Sequence, residues 1–233
     1  MAEWVAEIVV VINDCSDDTA AVAESYGARV IEHAWQGYRD QKMFALAQVS
    51  QPWVLALDAD EVVSPEMAAA VRDFIRRGDP RWAGVAFRRK VWFLGRWITH
   101  GDWYPDWSLR LFLREKGRWS GSLEHDKIEL SGNLLKLPVD IHHYSFPDIN
   151  AHTAKIPVFA RYFLARQLEA GKKWSLFQTL GRATWRFIRA YLLRMGFLDG
   201  FPGLYIALAT AFSTLTRYSQ LYEHEVNHRV KPE

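Results

Sequence analysis

Cysteine is nearly absent from this chain of 233 residues: Cys15 is the only one. A single thiol excludes an intrachain disulfide and a cysteine-based zinc cluster, and it reads as a reducing, cytosolic setting. A charge excess of one sign is missing as well. Lys and Arg number 29 against 27 Asp and Glu, a formal net charge of +2, too balanced to imply a polyanionic partner, so nucleic-acid binding is not expected. Long apolar runs are also lacking. The opening Met-Ala-Glu-Trp-Val-Ala-Glu has no basic region, and Ile8 to Ile12 is far too short for a signal core or a membrane span, so the sequence predicts a chain that is not exported. The hydrophobic share of 49% excludes the low-hydrophobicity composition of disordered chains. The length fits one large domain, or one domain with an appendage.

What is abundant is tryptophan, with eleven residues, many of them between Trp82 and Trp119. Such rings either pack a core or stack on a flat apolar or carbohydrate-like ligand.

Along the chain, Glu7 to Ile12 reads as a strand, Asn13 to Asp18 as a polar loop and Thr19 to Tyr26 as a helix closed by Gly27. Arg29 to His33 reads as a strand and Arg39 to Val49 as a helix. Trp53 to Leu57 is a continuous apolar run, typical of a strand covered on both faces. Ser64-Pro65-Glu66 supplies an N-cap and an N1 proline for a helix to about Arg77. This alternation predicts a parallel α/β sheet. After Gly78-Asp79-Pro80 the pattern changes. Val85 to Phe93, Ser108 to Arg114, Lys127 to Leu130 and Leu134 to Ile141 read as strands without intervening helices, hence an antiparallel or mixed insert. From Ile149 onward three helices are predicted, Ala151 to Ala170, Ser175 to Met195 and about Gly203 to Glu223. The expected division is a catalytic domain over 1–147 and a helical region over 148–233.

The sharpest chemical signal is Asp58-Ala59-Asp60-Glu61, where the buried strand ends. Strand alternation puts Asp58 and Asp60 on one side, in the crevice beyond the strand ends where open α/β sheets bind ligands. Two close carboxylates with no basic neighbour repel, and a divalent cation relieves that repulsion. Magnesium or manganese takes one or two carboxylates and completes its shell with water and substrate phosphates, which suits a nucleotide diphosphate. The competing reading is a solvated acidic loop capping the next helix.

With these segments in order, the sequence resembles the family 2 glycosyltransferases of GT-A fold. The segments are Asn13-Asp14-Cys15-Ser16-Asp17-Asp18-Thr19 after a strand, Gly37-Tyr38-Arg39-Asp40-Gln41-Lys42, and Trp53 to Glu61. It resembles most the branch that builds the lipopolysaccharide core with glucosyltransferases, through Trp103-Tyr104-Pro105-Asp106-Trp107, Arg110-Leu111-Phe112, Glu124-His125-Asp126, His143-Tyr144-Ser145 and Gly196-Phe197-Leu198-Asp199-Gly200. The resemblance implies inverting transfer of a sugar, glucose from UDP-glucose, to a lipid-linked glycan acceptor, with Asp58 and Asp60 at a Mg or Mn site that bridges the diphosphate. It assigns Asp126 as the base that deprotonates the acceptor, with Glu124 in reserve. Asp126 stands where the family has a longer Glu. Asn13, Asp14, Asp17, Lys42 and Asp58 match nucleotide-sugar contacts. Trp103, Trp107 and Arg110 match acceptor or sugar contacts, with core packing for the tryptophans and a surface charge for the arginine as the alternatives.

Family members begin with a further strand and helix before the strand that is first here. The resemblance therefore implies a sheet lacking its first β-α unit, with an incomplete donor site, impaired activity and an aggregation-prone edge. A non-catalytic nucleotide-sugar or glycan-binding fragment is the alternative this raises.

In the helical region Arg182, Arg186 and Arg189 share one helix face beside Trp185, Ile188, Leu192 and Met195. This face suits either an anionic membrane surface, on the cytoplasmic side, or a solvated packed helix. His224-Glu225-Val226-Asn227-His228 matches the zinc metalloprotease spacing, but a third ligand and a cleft are needed, and chance on a polar segment is the competing explanation.

Overall fold

The computed structural model describes residues 4–122 and 125–229. In chain order the elements are β1 (Val9–Ile12), α1 (Thr19–Ser25), β2 (Arg29–Glu32), α2 (Tyr38–Gln48), β3 (Trp53–Leu55), β4 (Glu61–Val63), α3 (Pro65–Arg77), β5 (Trp82–Phe93), β6 (Arg96–Trp97), β7 (Asp106–Leu113), β8 (Gly117–Ser122), β9 (His125–Leu130), β10 (Asn133–His143), α4 (Ile149–Glu169), α5 (Leu176–Ile188) and α6 (Gly200–Arg229). The order expected from sequence is present, with the short strands β4, β6 and β8 added.

The pairing departs from the expected parallel sheet. β1 and β2 pair in parallel as a separate two-stranded sheet, with Val9 opposite Arg29 and Ile12 opposite Glu32. β3 instead joins the larger sheet, of order β3-β7-β5-β10-β4, and runs antiparallel to β7 with Trp53 opposite Leu113. The apolar run of β3 satisfies either kind of ladder, so only the partner decides which one it enters.

The residues form two compact units, Met1–Arg88 with Trp107–Ile141, and Arg89–Asp106 with His142–Glu233. In the first, α3 forms as its caps dictate. Ser64 Oγ accepts from the Met67 amide at 3.1 Å, Pro65 sits at the first helical position, and Gly78 closes the helix in the left-handed conformation at φ 57°. Its inward face, Met67, Val71 and Phe74, packs on Val85, Phe87, Leu111 and Ile141. Burying a Phe or Leu of this kind contributes roughly 1.5–3 kcal/mol each.

In the second unit Val91, Phe93, Ile98 and Ile206 form a core with Trp103, Phe146 and Tyr205 against it. The motif Gly196 to Gly200 is structural here. A Cβ on Gly203 would lie 1.8 Å from the Gly196 carbonyl oxygen, and one on Gly196 would lie 2.6 Å from that of Ala190. Backbone meets backbone, which only glycine allows. Within the motif Asp199 is fully buried and accepts from the Thr99 and His100 amides at 3.0 and 2.8 Å and from the Thr99 hydroxyl at 3.0 Å. Burial pushes this carboxyl up, but the hydrogen bonds from His100 and Thr99 prevail and hold it below the usual range. Asp199→Ala strands the two amides and is expected to cost about 2–4 kcal/mol, read as a lower urea midpoint. A change under about 0.5 kcal/mol would contradict the role assigned to this carboxylate.

The helix expected to run to Met195 ends at Ile188. A π-helical turn, Arg189–Leu193, and a 3-10 turn, Gly196–Asp199, carry the chain into α6.

Candidate active site

The acidic segment sits on a tight turn of the first unit. β3 ends at Leu55, so the strand pleat does not extend to Asp60, and the expected alternation of Asp58 and Asp60 is replaced by a turn. The Glu61 amide donates to the Asp58 carbonyl at 3.0 Å, and the Asp58 amide donates back to Glu61 Oε2 at 3.1 Å. This reciprocal pair closes the turn and leaves Asp60 exposed on it.

Two cations converge on Asp58. Lys42 Nζ, from α2, lies 2.5 Å from Oδ1, and an Arg110 guanidinium nitrogen, from β7, donates to Oδ2 at 2.6 Å. The same nitrogen donates to Glu61 Oε1 at 2.5 Å. The premise of a carboxylate pair without a basic neighbour is therefore corrected. The sequence does not reveal these partners because Arg110 is 52 residues from Asp58. The antiparallel ladder brings it there: the Ala56 amide donates to the Arg110 carbonyl at 2.8 Å, which continues the β3–β7 pairing toward the turn.

Arg110 is buried, with 4% of its surface exposed, and its Nε has no hydrogen-bond partner among the described residues. The surface-charge alternative for Arg110 is thus overturned. Its nitrogen is spent on two carboxylates, so it holds the turn. Burial pushes the Asp58 carboxyl up, but Arg110 and Lys42 outweigh it and keep the group below its ordinary range. Burial likewise lowers the Arg110 guanidinium, and Glu61 and Asp58 raise it above its ordinary value.

Glu61, which motif reasoning left without a role, is buried and is the residue that locks the turn. Its only signal in the sequence is its place as the third acid of the run. Lys42 also lies 4.6 Å over the ring of Trp119, a buried residue of β8. That packing ties α2 to the β8–β9 hairpin.

Of the other expected site residues, Asn13, Asp14 and Asp17 lie on the exposed loop after β1. Asp14 adopts a left-handed φ of 49°. Asp17 Oδ1 accepts from the Thr19 amide at 3.1 Å and is lowered chiefly by bonding to Thr19, so it closes an Asx turn just before α1. Glu124 and the side chain of Asp126 lie outside the described residues. The backbone of Asp126, on β9, pairs with Gly121. Trp107 is half-buried under Lys136, 5.4 Å from its ring. Trp103 belongs to the second unit, packed at 5.2–5.6 Å on Phe93, Phe146 and His152. Core packing also accounts for Trp97, stacked on His142 at 4.3 Å, and for buried Trp119.

The metalloprotease spacing finds no support. Glu225 Oε1 accepts from the Trp174 amide at 2.6 Å, the side chain of His228 lies outside the described residues, and among the described residues no group of three His, Cys, Asp or Glu is placed to hold a metal. A magnesium-type ion needs less, one or two carboxylates with the rest of its shell from water and phosphate oxygens. The carboxylate of Asp60, exposed on the turn, is a donor of the type such an ion takes, and both oxygens of Asp58 face cations.

The acidic turn at the strand end is thus charge-balanced by Lys42 of α2 and Arg110 of β7. The glycosyl transferase family 2 profile matches residues 6–129, more than half of the chain, and the chain belongs to that family. It is a glycosyltransferase, and its sheet is of the GT-A type. An uncharacterized glycosyltransferase of Rickettsia typhi is 26% identical over 233 residues, covering 96% of this chain and 80% of that protein. The lipopolysaccharide core biosynthesis glycosyltransferase LpsC of Rhizobium meliloti is 27% identical, covering 93% of this chain and 85% of that one. Among solved structures, S. aureus TarS 1–349 aligns with 94% of this chain and 82% of its own, at TM-score 0.40 and 14% identity.

Proposed function

We propose that the chain transfers a hexose, glucose from UDP-glucose, with inversion to a lipopolysaccharide-core or similar lipid-linked acceptor. The carrying observation is the turn Asp58–Glu61, rigid beneath and presenting Asp60 outward. The name of LpsC supports the acceptor class, and residues 1–147 are assigned as the catalytic domain. Asp60 would hold a magnesium or manganese ion, which when bound supplies Lewis-acid stabilisation of the leaving diphosphate. Lys42 contributes positive charge beside the same turn, and Asn13 and Asp14, on the exposed loop after β1, are assigned to the nucleoside. Arg110 and Glu61 act by keeping Asp58 in place, since preorganised charges stabilise a transition state without reorganising. Asp126 is assigned as the base that takes the acceptor proton, with Glu124 in reserve, and Trp107 is assigned to sugar stacking, whereas Trp103 is taken up by core packing in the second unit.

Calorimetric titration with UDP and UDP-glucose, with and without manganese, tests the reading. Metal-dependent binding is expected, and metal-independent or absent binding by the folded chain removes it. Asp126→Asn is expected to keep donor affinity within about twofold while transfer falls by about 10²–10⁴. Full transfer in that variant moves the base elsewhere.

A lipid-linked acceptor places the enzyme at a membrane, and the second unit has a face for one. Among the described residues no single helix is long and apolar enough to cross a membrane. Leu176–Leu193 and Gly196–Asn227 pass such a test only together and are bent by 70°. Yet Phe177 is 89% exposed and Phe201 67%, with Leu180, Trp185, Leu193, Phe197 and Phe212 also outward. From Gly171 to Leu198 there are six Lys and Arg and no acid. Arg186, Arg189 and Arg194 of that segment approach Asp102, and the exposed aromatic and aliphatic side chains with Lys172, Lys173 and Arg182 match an anionic bilayer surface. We therefore assign peripheral attachment on the cytoplasmic face through α5, the turns after it and α6.

A further inference from the structure

Behind that apolar face, α5 is polar where it meets the rest of its own unit. Arg186 and Arg189 turn inward onto Asp102, at 3.2 and 2.8 Å, and Arg194 approaches the same carboxylate at 3.6 Å. The Asp102 side chain is 7% exposed. Arg186 and Arg189 border a cavity of about 350 Å³ that is made entirely of second-unit residues, with Lys155 of α4 and Arg217 of α6 also lining it. Four cationic side chains and one carboxylate, Asp102, thus line the same cavity. His152, on the same wall, bonds Tyr205 Oη at 3.0 Å, and burial pushes its imidazole down, so it adds no charge at neutral pH.

Arg217 is the revealing member. Its Nε is buried with no hydrogen-bond partner among the described residues, and burial, then Arg186 and Arg166, push the guanidinium down against a smaller opposite effect of Tyr218. A cavity lined by four cationic side chains and one acid keeps positive charge that its own lining does not balance. A bound dianion offsets it, because guanidinium groups recognise phosphate oxygens through paired, charge-assisted hydrogen bonds. Thr210, Ser213 and Thr214 line the wall with hydroxyls suited to the remaining oxygens. The volume admits a phosphate with a small substituent.

We propose that this cavity is an anion site that takes a phosphate group, carried either by a lipid headgroup or by a small phosphorylated solute. The site is built from residues that have no part in the acidic turn, so it stands whether or not the donor reading holds.

The test uses the full chain, with Arg217→Gln and Lys155→Gln, singly and together. Titrations employ inorganic phosphate and glycerol 3-phosphate, and flotation employs phosphatidylcholine vesicles with and without one-fifth phosphatidylglycerol. Saturable phosphate binding weakened about tenfold or more in Arg217→Gln, at unchanged thermal midpoint, supports the site. Loss of phosphatidylglycerol-dependent flotation in the same variant, with competition by glycerol 3-phosphate, assigns a headgroup. Binding of the soluble phosphates that Arg217→Gln weakens, without any vesicle effect, assigns a free solute. No binding of either kind by the wild type, or binding that both substitutions leave unchanged, overturns the proposal. So does a parallel loss of UDP affinity, which would make the cavity part of the donor site. Should Arg217→Gln fail to fold, Lys155→Gln on the exposed rim carries the same comparison.

Discussion

Arg110→Ala is expected to destabilise the chain by about 3–5 kcal/mol, because removing one partner of a buried ion cluster leaves the other charges uncompensated. The buried Glu61 carboxylate loses a donor 2.5 Å away, and Asp58 keeps only Lys42. Urea unfolding with circular dichroism reads the change. Arg110→Lys keeps a charge but cannot present a planar fork to two acids, so an intermediate loss is expected. The pH profile carries an independent signature. Asp58 is held below its unfolded value by Arg110 and Lys42, so its contribution is fully present above the unfolded pKa, about 3.9, and is lost as pH falls through the lower folded value. In Arg110→Ala the depression shrinks, and the acid limb of the stability profile should flatten below about pH 4. A destabilisation below about 1 kcal/mol, the range of an exposed pair, would show that water compensates the cluster.

Asp60→Asn is expected to lower sugar transfer by about 100-fold or more, equivalent to roughly 2.7 kcal/mol of transition-state stabilisation, and to remove the manganese dependence of UDP binding. Stability should move by less than about 0.5 kcal/mol, since the side chain is exposed. The two substitutions are thus expected to separate cleanly: one acts mainly on the fold of the turn, the other on its chemistry. Transfer and metal-dependent affinity unchanged in Asp60→Asn would remove the metal assignment and leave the turn a structural feature. An Asp60→Glu variant, with the carboxylate advanced by one methylene, is expected to retain part of the metal dependence, which distinguishes ligation from a general field effect.

Both expectations follow from how two neighbouring acids acquire different surroundings. Asp58 faces inward between Lys42 and Arg110 and is neutralised by the protein itself. Asp60, two residues on, is exposed by the turn. A motif treats them as a pair, whereas the fold gives them different surroundings.

Much of this protein was decided locally and could be read without coordinates. The N-cap at Ser64, Pro65 and the closing Gly78 determine α3, because capping involves neighbouring residues only. The order of strands and helices, the polar loop after β1, the acidic run after an apolar strand and the family resemblance all reside in contiguous segments, which is why they survived comparison with the structure. Pairing is another matter. The apolar run of β3 carries no label saying parallel or antiparallel, and β7 claims it through contacts some 50 residues away in sequence. The same ladder delivers Arg110 to Asp58 and Glu61, so a residue that reads as a surface charge becomes the buried centre of the turn. In the helical region periodicity grouped Arg182, Arg186 and Arg189 on one face, but not the direction of that face. A buried Asp102, 87 residues from Arg189, draws the charges of Arg186 and Arg189 inward while Phe177, Leu180 and Trp185 are left outward. Local propensity and motif chemistry are properties of short segments and belong to the sequence alone. Which charge neutralises which, and which face a helix shows to its surroundings, depend on partners brought together only when the chain folds.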